Sequence, residues 1–360
     1  MRLVDESLTV WLKQRAQALN SSTDEGSLLV PRFGLAGLFR TAVPVEHGGA
    51  GGSQSAAIAV VAELAEHSVS AAFVFWAQRA SIECILQASN KGLQHRLLPE
   101  LVNGLIAGAP GLSNGMKSLR GIDTWRMQCT RTSGRARLDG SVPWATNLQP
   151  QGFVALVAAN EPQAGCPAVF AVPHRAPGLV REPDLDLAAL RGTSTGSLTL
   201  ADVMLDDDWM LHYDVRVFLP QVRPMFIGLQ CGLGLGLARA SLHIVRQVLE
   251  GRSSILHEEL ASLETEVDEY WHALSTGIDS GAVRDRPRDL LVLRMRMVEI
   301  ATSAVQLELQ ALGGSALLNA GGAGFWRRMQ EAAFLGVVTP TLVQLKTELA
   351  VDVTGNLIVR

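Results

Sequence analysis

Four cysteines are the side chains of this sequence that could carry thiol redox chemistry or bind a soft metal ion. They are Cys84, Cys129, Cys166 and Cys231, and no two of them form a Cys-x-x-Cys pair. Zinc sites and disulfide frameworks use cysteines that are spaced more closely than these. The sequence therefore predicts reduced thiols that pack in the core, in a reducing compartment, and no metal site.

The composition is that of a folded chain with a large apolar core. Of the 360 residues, 48% are hydrophobic and 18% are charged, which excludes a disordered chain. The formal net charge of −4 does not favour a nucleic-acid-binding surface. Asp5 and Glu6 lie where a signal peptide would be apolar, and no run reaches the ~18 apolar residues of a membrane span. We expect a cytoplasmic protein that binds no nucleic acid and does not span a membrane.

The spacing of apolar residues divides the chain into three regions. Apolar residues have helical spacing in residues 1–110 and 209–360. In residues 111–208 apolar and polar residues alternate with the period of half-buried strands, and no helical pattern separates the predicted strands. This order predicts an α+β fold with an N-terminal helical domain, a middle antiparallel β-barrel or sandwich, and a C-terminal bundle of four or five helices. The predicted strands include residues 153–159, 168–173 and 196–205, and the predicted C-terminal helices cover residues 227–250, 255–274, 288–311, 325–336 and 340–353.

Three local signals refine these elements. The dipeptides Ser133-Gly134 and Asp139-Gly140 predict turns on either side of a short strand. Residues 275–287 are predicted to form a surface linker. Thr339 is predicted to cap the last helix, with Pro340 in its first turn.

Five short motifs lie along the chain, two in the first region, two in the middle region and one in the last. They are Val43-Pro44 with Gly48-Gly49, Leu98-Pro99-Glu100-Leu101 with Gly104, Trp144-Ala145-Thr146-Asn147, Leu190-Arg191-Gly192-Thr193 with Leu200-Ala201-Asp202-Val203, and Gln310-Ala311-Leu312-Gly313-Gly314. In this order they resemble motifs of the acyl-CoA dehydrogenase family, and the resemblance covers nearly the whole chain.

The resemblance implies an FAD-dependent oxidoreductase with the acyl-CoA dehydrogenase-like fold, acting on the α,β carbons of an acyl-CoA or related thioester. It also implies a flavoprotein homodimer or homotetramer that holds FAD between the middle domain and the C-terminal helices. Trp144 and Thr146 take the positions that flank the isoalloxazine ring, and Arg252 takes that of a ligand to the pyrophosphate of the partner subunit's FAD. The residues at cofactor-binding positions are Leu112, Ser113, Trp144, Thr146, Arg252, Gln310, Gly313, Gly314 and Thr339.

Each of these positions also has a structural interpretation. Trp144 could fill the core of the barrel, and Arg252 could be a solvated residue at the start of a helix. The pair Gly313-Gly314 could end a helix, as glycines commonly do. Thr339 would cap a helix whether or not a dinucleotide lies beside it.

The sequence departs from the family where the catalytic base is expected. The glutamate that removes the α-proton aligns with Val337, and a valine side chain cannot accept a proton. No glutamate occurs near residues 220–224, where some members of the family carry it. The nearest candidate is Glu331, which could instead pair with Arg327 or Arg328 on its own helix. The catalytic residue is therefore unassigned.

Three functions remain open on these grounds. The first is an acyl-CoA dehydrogenase-like reaction with a relocated base. The second is a flavin-dependent monooxygenase or oxidase, which needs no α-proton base and for which His212, Tyr213 and His47 are candidate proton donors. The third is a catalytically degenerate partner subunit that keeps the fold and pairs with an active paralogue.

Overall fold

The computed structural model describes residues 3–350, with residues 319–321 described by their backbone alone. It is a mixed α+β structure in which helices precede and follow two four-stranded sheets. The predicted fold class is confirmed. The α-helices are α1 (Glu6–Ser21), α2 (Leu29–Leu35), α3 (Gln54–Ala65), α4 (Val69–Leu86), α5 (Lys91–Val102), α6 (Ser113–Leu119), α7 (Val215–Leu249), α8 (Leu256–Asp279), α9 (Ala282–Asp285), α10 (Pro287–Leu312), α11 (Asn319–Leu335) and α12 (Leu342–Ala350).

The strands form one mixed sheet and one antiparallel sheet. The mixed sheet has the order β1-β4-β5-β8, and its β1–β4 pair is parallel, which differs from the antiparallel pairing predicted throughout. The other sheet has the order β2-β3-β7-β6 and only antiparallel pairs. The strands are β1 (Ala107–Gly111), β2 (Met127–Thr132), β3 (Arg135–Ala145), β4 (Phe153–Ala159), β5 (Ala168–Pro173), β6 (Leu179–Arg181), β7 (Gly196–Asp206) and β8 (Met210–His212).

Contacts group the chain into two compact units that alternate along the sequence. The first unit consists of Ser53–Ala72 and the described parts of Met1–Asn20 and Ile227–Arg360, and the second consists of Ser21–Gly52 and Phe73–Phe226. The division into domains of residues 1–110, 111–208 and 209–360 remains a prediction.

In the first unit, glycines on α7 allow α3 to approach closely. A Cβ atom added to Gly236 would lie 2.1 Å from the carbonyl oxygen of Ala62. One added to Gly232 would lie 2.8 Å from the carbonyl oxygen of Ile58. Real side-chain carbons do not come this close to backbone oxygens, so the two helices pack at this distance because both positions lack a side chain.

The second unit contains both sheets and an aromatic cluster. Every residue of β4 is buried, as a strand covered on both faces requires. The rings of Phe39 and Phe75 stack at 5.3 Å, and Phe33 meets both of them edge-on at 6.0 Å. These contacts hold the segment before α3 against α4 within this unit.

The structure differs from the local signals in three places. Helix α7 begins at Val215 and includes Pro220 and Pro224, because Phe218 and Val222 are buried in the core. A short helix, α6, precedes β2 in the region predicted to contain only strands. Helix α8 continues to Asp279 and α9 follows, so the predicted linker at residues 275–287 is mostly helical.

The turn predicted at Asp139-Gly140 is instead an irregularity within β3. The register of β3 against β7 shifts between Leu138 and Gly140. Gly140 has a φ of 140°, and a Cβ atom there would lie 2.0 Å from the carbonyl oxygen of Arg126. Glycine permits the strand to continue through this position.

The last helix is capped by Thr341 rather than by Thr339. The backbone N–H of Gln344 donates to the Thr341 hydroxyl at 3.3 Å, and the Gln344 side chain accepts from the backbone N–H of Thr341 at 2.7 Å. This reciprocal pair is a capping box. The predicted helix extends to residue 353, and residues 351–353 lie outside the described residues.

Two helices, α4 and α7, are long and apolar enough to cross a membrane by length and composition, contrary to the expectation that no run reaches this length. In the most apolar window of each, 94% and 89% of the residues are buried inside the protein. Helices in the core of a folded protein have this property. The two helices are weak evidence for membrane insertion.

The thiols lie mainly in the core. Cys84, Cys129 and Cys231 are buried, and Cys166 is half-buried. Burial raises the pKa of Cys129 to about 12 and also raises the pKa of the other two buried thiols. These three groups are therefore neutral thiols at physiological pH. Between residues 3 and 350, no cluster of His, Cys, Asp and Glu side chains is placed to hold a metal ion.

Candidate functional site

The end of β3 carries an aromatic ring and a hydroxyl group two residues apart, at Trp144 and Thr146. Trp144 is 56% exposed, so it does not fill the core of the sheet. Its ring makes no ring or cation–π contact with another residue in the described part of the chain. Thr146, two residues later, is buried, and Ala145 between them pairs with Gly196 of β7.

The hydroxyl group of Thr146 belongs to a chain of three threonine hydroxyls. Its oxygen lies 3.1 Å from that of Thr195, which lies 2.7 Å from that of Thr193. The Thr193 hydroxyl donates to the carbonyl oxygen of Leu190 at 2.7 Å. Leu190 has a φ of 57°, so the turn that carries these threonines is held in an unusual backbone conformation. The pairing of β3 with β7 brings the first two hydroxyls together.

A buried amide network fixes the backbone immediately after Thr146. The side-chain amide of Asn147 donates to Gln78 Oε1 at 3.1 Å and to the carbonyl oxygen of Gly108 at 3.0 Å. Gln78 also accepts from the backbone N–H of Gly108 at 2.7 Å, and Gln149 donates to Asn147 Oδ1 at 3.0 Å. The side-chain amides of Gln78 and Asn147 are fully paired, whereas the buried Oε1 of Gln149 has no partner in the described residues. The paired amides hold the backbone after β3 in one position.

Leu112 and Ser113 lie where β1 passes into α6. Leu112 is buried and Ser113 is half-buried as the first residue of the helix. Asn114 donates to the carbonyl oxygen of Thr124 at 2.9 Å and accepts from the backbone N–H of Arg126 at 3.0 Å. These bonds connect the start of α6 to the segment that leads into β2, so the backbone at residues 112–113 has a fixed position.

Three further predicted residues lie together at the end of α10. Gln310, Gly313 and Gly314 are all exposed. A side chain added at either glycine would meet no atom of the chain within 4 Å. Gly313 has φ 55° and ψ −138°, a conformation that favours glycine. The backbone at this helix end is therefore open to an approaching group.

Arg252 lies in the exposed segment between α7 and α8. Its backbone carbonyl interacts with the ring of His257 at 2.8 Å, while its guanidinium forms no ion pair within residues 3–350. An exposed and unpaired guanidinium is free to bind phosphate oxygens in two-point geometry. The structure therefore leaves both the solvated and the phosphate-binding interpretation of this residue available.

Val337 occupies an exposed position just after α11. It is 66% exposed, and hydrogen bonds from other residues of the first unit hold the backbone on either side of it. Buried Arg294 donates to the carbonyl oxygen of Leu335 at 2.6 Å, and Gln230 donates to that of Thr339 at 2.8 Å. Burial lowers the pKa of Arg294, whose guanidinium sits at the negative end of α11. A side chain at position 337 thus projects from a rigid segment.

Glu331 is held in the interior of the first unit. Both carboxylate oxygens accept from Arg327, at 2.7 and 2.8 Å, and one also accepts from the backbone N–H of Val69 at 3.1 Å. Its side chain is fully buried. The predicted pairing with Arg327 is present, and Arg328 pairs with Glu308 instead. All of these contacts are structural ones.

The other candidate proton donors are dispersed. His212 is buried in β8, and its Nδ1 accepts from the backbone N–H of Asp214 at 3.0 Å. Tyr213 is 56% exposed and stacks on the His212 ring at 4.7 Å. His47 is half-buried in a 3₁₀ turn over Val45–His47. His212 and Tyr213 are neighbours, and His47 makes no hydrogen bond, ion pair or ring contact with either of them within the described residues.

Comparison with known proteins identifies the architecture. Residues 4–105 match the family described as acyl-CoA dehydrogenase, N-terminal domain. No curated protein sequence matches the chain. A glutaryl-CoA dehydrogenase from Mycobacterium smegmatis, solved with FADH2, has a TM-score of 0.80 at 19% identity, with 100% of this chain and 97% of that chain covered. The chain has the acyl-CoA dehydrogenase fold. The resemblance to this family is confirmed.

Two further solved structures share the acyl-CoA dehydrogenase fold. Butyryl-CoA dehydrogenase from Megasphaera elsdenii has a TM-score of 0.79 at 16% identity, covering 95% of this chain and 92% of that chain. FkbI, for biosynthesis of the methoxymalonyl extender unit of the Fk520 polyketide, has a TM-score of 0.79 at 19% identity, covering 96% and 97%. The descriptions of these two proteins name different functions, so the shared fold does not determine the reaction.

The residues present fit a flavin dinucleotide in several respects. Trp144 offers an exposed aromatic ring two residues before the buried hydroxyl of Thr146. The open backbone at Gly313 and Gly314 and the unpaired Arg252 suit a dinucleotide that carries phosphate charge. Thr339 contributes its carbonyl oxygen to Gln230 and lies half-buried in the fixed segment.

Sequence reasoning missed Gln78 and the hydroxyl partner Thr195. Thr195 is 49 residues from Thr146, and only the pairing of β3 with β7 brings them together. The available signal was the spacing of two threonines, Thr193 and Thr195, directly before a predicted strand.

Proposed function

We propose that this protein is an FAD-dependent oxidoreductase that acts on an acyl-CoA or a related thioester. The observation that carries the proposal is an exposed indole at Trp144, without a ring or cation–π contact in the described residues, two positions before the buried hydroxyl of Thr146 at the end of β3. This arrangement occurs in a chain with the acyl-CoA dehydrogenase fold, one of whose solved examples carries FADH2.

In this proposal the chain holds the cofactor at four places. Trp144 and Thr146 flank the isoalloxazine ring, and the backbone at Leu112 and Ser113 faces the pyrimidine portion. Gln310, Gly313, Gly314 and Thr339 line the remainder of the dinucleotide, and Arg252 binds pyrophosphate across a subunit boundary. Bound FAD would supply the two-electron acceptor that no protein side chain provides.

The proposal includes a homodimer or homotetramer in the cytoplasm. An arginine that serves the cofactor of a neighbouring copy requires an oligomer, and the exposed, unpaired guanidinium of Arg252 supports this arrangement. A mass measurement of the purified protein by light scattering tests it. A monomeric holoprotein would remove the basis for this role of Arg252.

The second candidate function is an oxygen-dependent flavin reaction on the same scaffold, as a monooxygenase or oxidase. Two observations support it. The expected base position holds Val337, and the carboxylate of Glu331 is buried with both oxygens already paired. A reaction that removes an α-proton needs a carboxylate that reaches substrate, and neither position supplies one.

One experiment on the purified protein separates the functions. Binding of FAD is measured first, by the visible absorbance of the protein after desalting. Anaerobic bleaching by a panel of acyl-CoA esters supports dehydrogenation, whereas oxygen consumption with NADH and a flavin reductase, without such bleaching, supports the second function. A protein that takes up no added FAD would refute both and leave the degenerate partner subunit.

The Val337→Glu variant tests the base directly. Because the segment around residue 337 is fixed by Arg294 and Gln230, a glutamate there would project from the same rigid backbone. If the chain otherwise retains the machinery for dehydrogenation, this variant gains bleaching by acyl-CoA. Val343 is exposed on α12, and the Val343→Glu variant serves as the control for an added charge elsewhere.

A further inference from the structure

A buried arginine of the second unit has most of its hydrogen-bond donors unpaired. Arg79 lies in α4 and is 0% exposed. Its Nη2 donates to the carbonyl oxygen of Ala42 at 3.5 Å. Its Nε and Nη1, which carry most of the N–H groups of a guanidinium, have no hydrogen-bond partner within residues 3–350. Both nitrogens are also shielded from solvent, so bulk water does not replace the missing acceptors.

The ion pair of Arg79 with Glu83 does not satisfy these donors. Glu83 is buried one turn later on α4, and its Oε2 lies 3.9 Å from Nη2 of Arg79, which is beyond hydrogen-bond distance. Its Oε1 accepts from the side-chain amide of Gln87 at 3.0 Å. Burial lowers the pKa of Arg79, and the opposing effect of the Glu83 charge is smaller. Glu83 therefore compensates only part of the cost of burying this cation.

The surroundings of Arg79 are aromatic and rigid. Phe75 lies one turn earlier on the same face of α4 and stacks on Phe39 at 5.3 Å. The carbonyl that Arg79 reaches belongs to Ala42, which has a φ of 58°, an unusual conformation for a residue with a Cβ atom. The backbone N–H of Ala42 donates to the carbonyl oxygen of Gly51 at 2.9 Å, which holds this residue in place. In such surroundings an unpaired N–H of a charged group is costly.

Other buried arginines of this chain have acceptors within the protein. Arg294 is 1% exposed, and it donates from Nε to Gln230 Oε1 at 3.3 Å and from Nη2 to a backbone carbonyl at 2.6 Å. Buried Arg327 donates to both carboxylate oxygens of Glu331. Buried charges in proteins are normally paired in this way. Arg79 departs from this pattern, which indicates that its acceptor comes from outside the chain.

We propose that Arg79 binds a small carboxylate anion, of the size of formate or acetate, inside the second unit. A planar pair of oxygens matches the guanidinium in two-point geometry, and its charge offsets the buried cation. A water molecule could accept the same hydrogen bonds but would supply no charge. Because the unpaired nitrogens are shielded from solvent, the anion has to be small and enclosed. This site is independent of FAD and of the proposed oxidoreductase function.

The measurement is the dependence of stability on free carboxylate, from urea unfolding of the full-length protein at constant ionic strength. An anion that binds only the folded chain lowers the unfolding equilibrium constant about tenfold for each tenfold rise in its concentration above the dissociation constant. Sodium formate and sodium acetate should have this effect. Pivalate, which carries the same carboxylate on a bulky group, should not. Chloride, which lacks paired oxygens, should have a smaller effect than formate.

The response to formate should disappear when the guanidinium is removed. The Arg79→Met/Glu83→Gln variant does this without leaving a buried carboxylate unpaired. Arg294→Met is the matched control, because it removes an equally buried guanidinium whose donors have acceptors within the chain. This control should be less stable than the wild type but should keep the wild-type response to formate.

A wild-type response to formate that exceeds the response to pivalate, and that is absent in the double variant, supports the site. Equal responses to formate and pivalate, or a response that survives in the double variant, would overturn it. An equal effect of chloride would overturn the assignment to a carboxylate. Stabilisation by succinyl-CoA without stabilisation by formate would overturn the enclosed free anion, because the carboxylate would then belong to a larger ligand. If the double variant does not fold, the comparison of formate with pivalate in the wild type decides.

Discussion

Replacement of Trp144 by alanine should weaken FAD binding without weakening the fold. The indole is 56% exposed and makes no ring contact with another described residue, so its removal should change the free energy of unfolding by no more than about 0.5 kcal/mol. Stacking of an aromatic side chain on a nucleobase contributes about 1–3 kcal/mol, and an isoalloxazine offers a similar flat face. The expected rise in the dissociation constant of FAD is between about 5-fold and 150-fold.

The assay is a titration of apoprotein with FAD, followed by quenching of flavin fluorescence. Trp144→Phe should keep part of the stacking surface and give an intermediate affinity. Trp326→Ala is the matched control, since Trp326 is 46% exposed on α11 and meets Phe325 edge-on at 5.2 Å. An unchanged affinity in Trp144→Ala, or an equal loss in Trp326→Ala, would refute the assignment of Trp144 to the flavin.

Three other perturbations test separate parts of the structure. Glu331→Gln should leave any acyl-CoA-driven bleaching unchanged in stopped-flow measurements, because the carboxylate is buried with its arginine partner; loss of bleaching would make it the base. Gly236→Ala should lower the free energy of unfolding in urea by about 2 kcal/mol, because its Cβ would lie 2.1 Å from a backbone oxygen, whereas Gly324→Ala in the interior of α11 should raise it by ~0.5 kcal/mol. The side chain of Arg216 holds the pKa of Asp214 below its usual value, so this pair stabilises the fold above about pH 4 and the effect is lost as the pH falls through the lowered pKa. Asp214→Asn should therefore reduce the loss of unfolding free energy between neutral pH and pH 3 by up to ~1 kcal/mol. An acid-unfolding profile identical to that of the wild type would contradict this.

The strands of the middle region were predictable from the sequence alone. Strands β4 and β5 have the bounds that the apolar runs at residues 153–159 and 168–173 predict. Their residues are almost all buried, and short apolar runs between turn residues carry that signal. The first twelve residues of α7 were not predictable in the same way. Two prolines argue locally against a helix there, and only the burial of Phe218 and Val222 overcomes them.

The candidate site was predictable in part. The motif that contains Trp144 and Thr146 identified both residues, but helical or strand periodicity does not tell which face of an element a neighbour covers. For that reason the sequence indicated an ion pair for Glu331 but not that the pair is buried, as the structure shows it to be. Thr195 was missed because its role depends on strand pairing across 49 residues.

The alternation of the two units along the sequence sets the order in which they can be completed during synthesis. The segments that include α1 and α3 belong to the same unit as residues after 226, so they wait for the C-terminal part of the chain to leave the ribosome. At about 5–20 residues per second, roughly 200 residues take ~10–40 s to translate. The second unit, which holds Trp144 and the threonine chain, has all of its residues available first. Until the residues after 226 are made, the Asn20 side chain of α1 lacks the Gln330 oxygen to which it donates in the complete unit, so the nascent N-terminal segment must stay soluble with its unit incomplete.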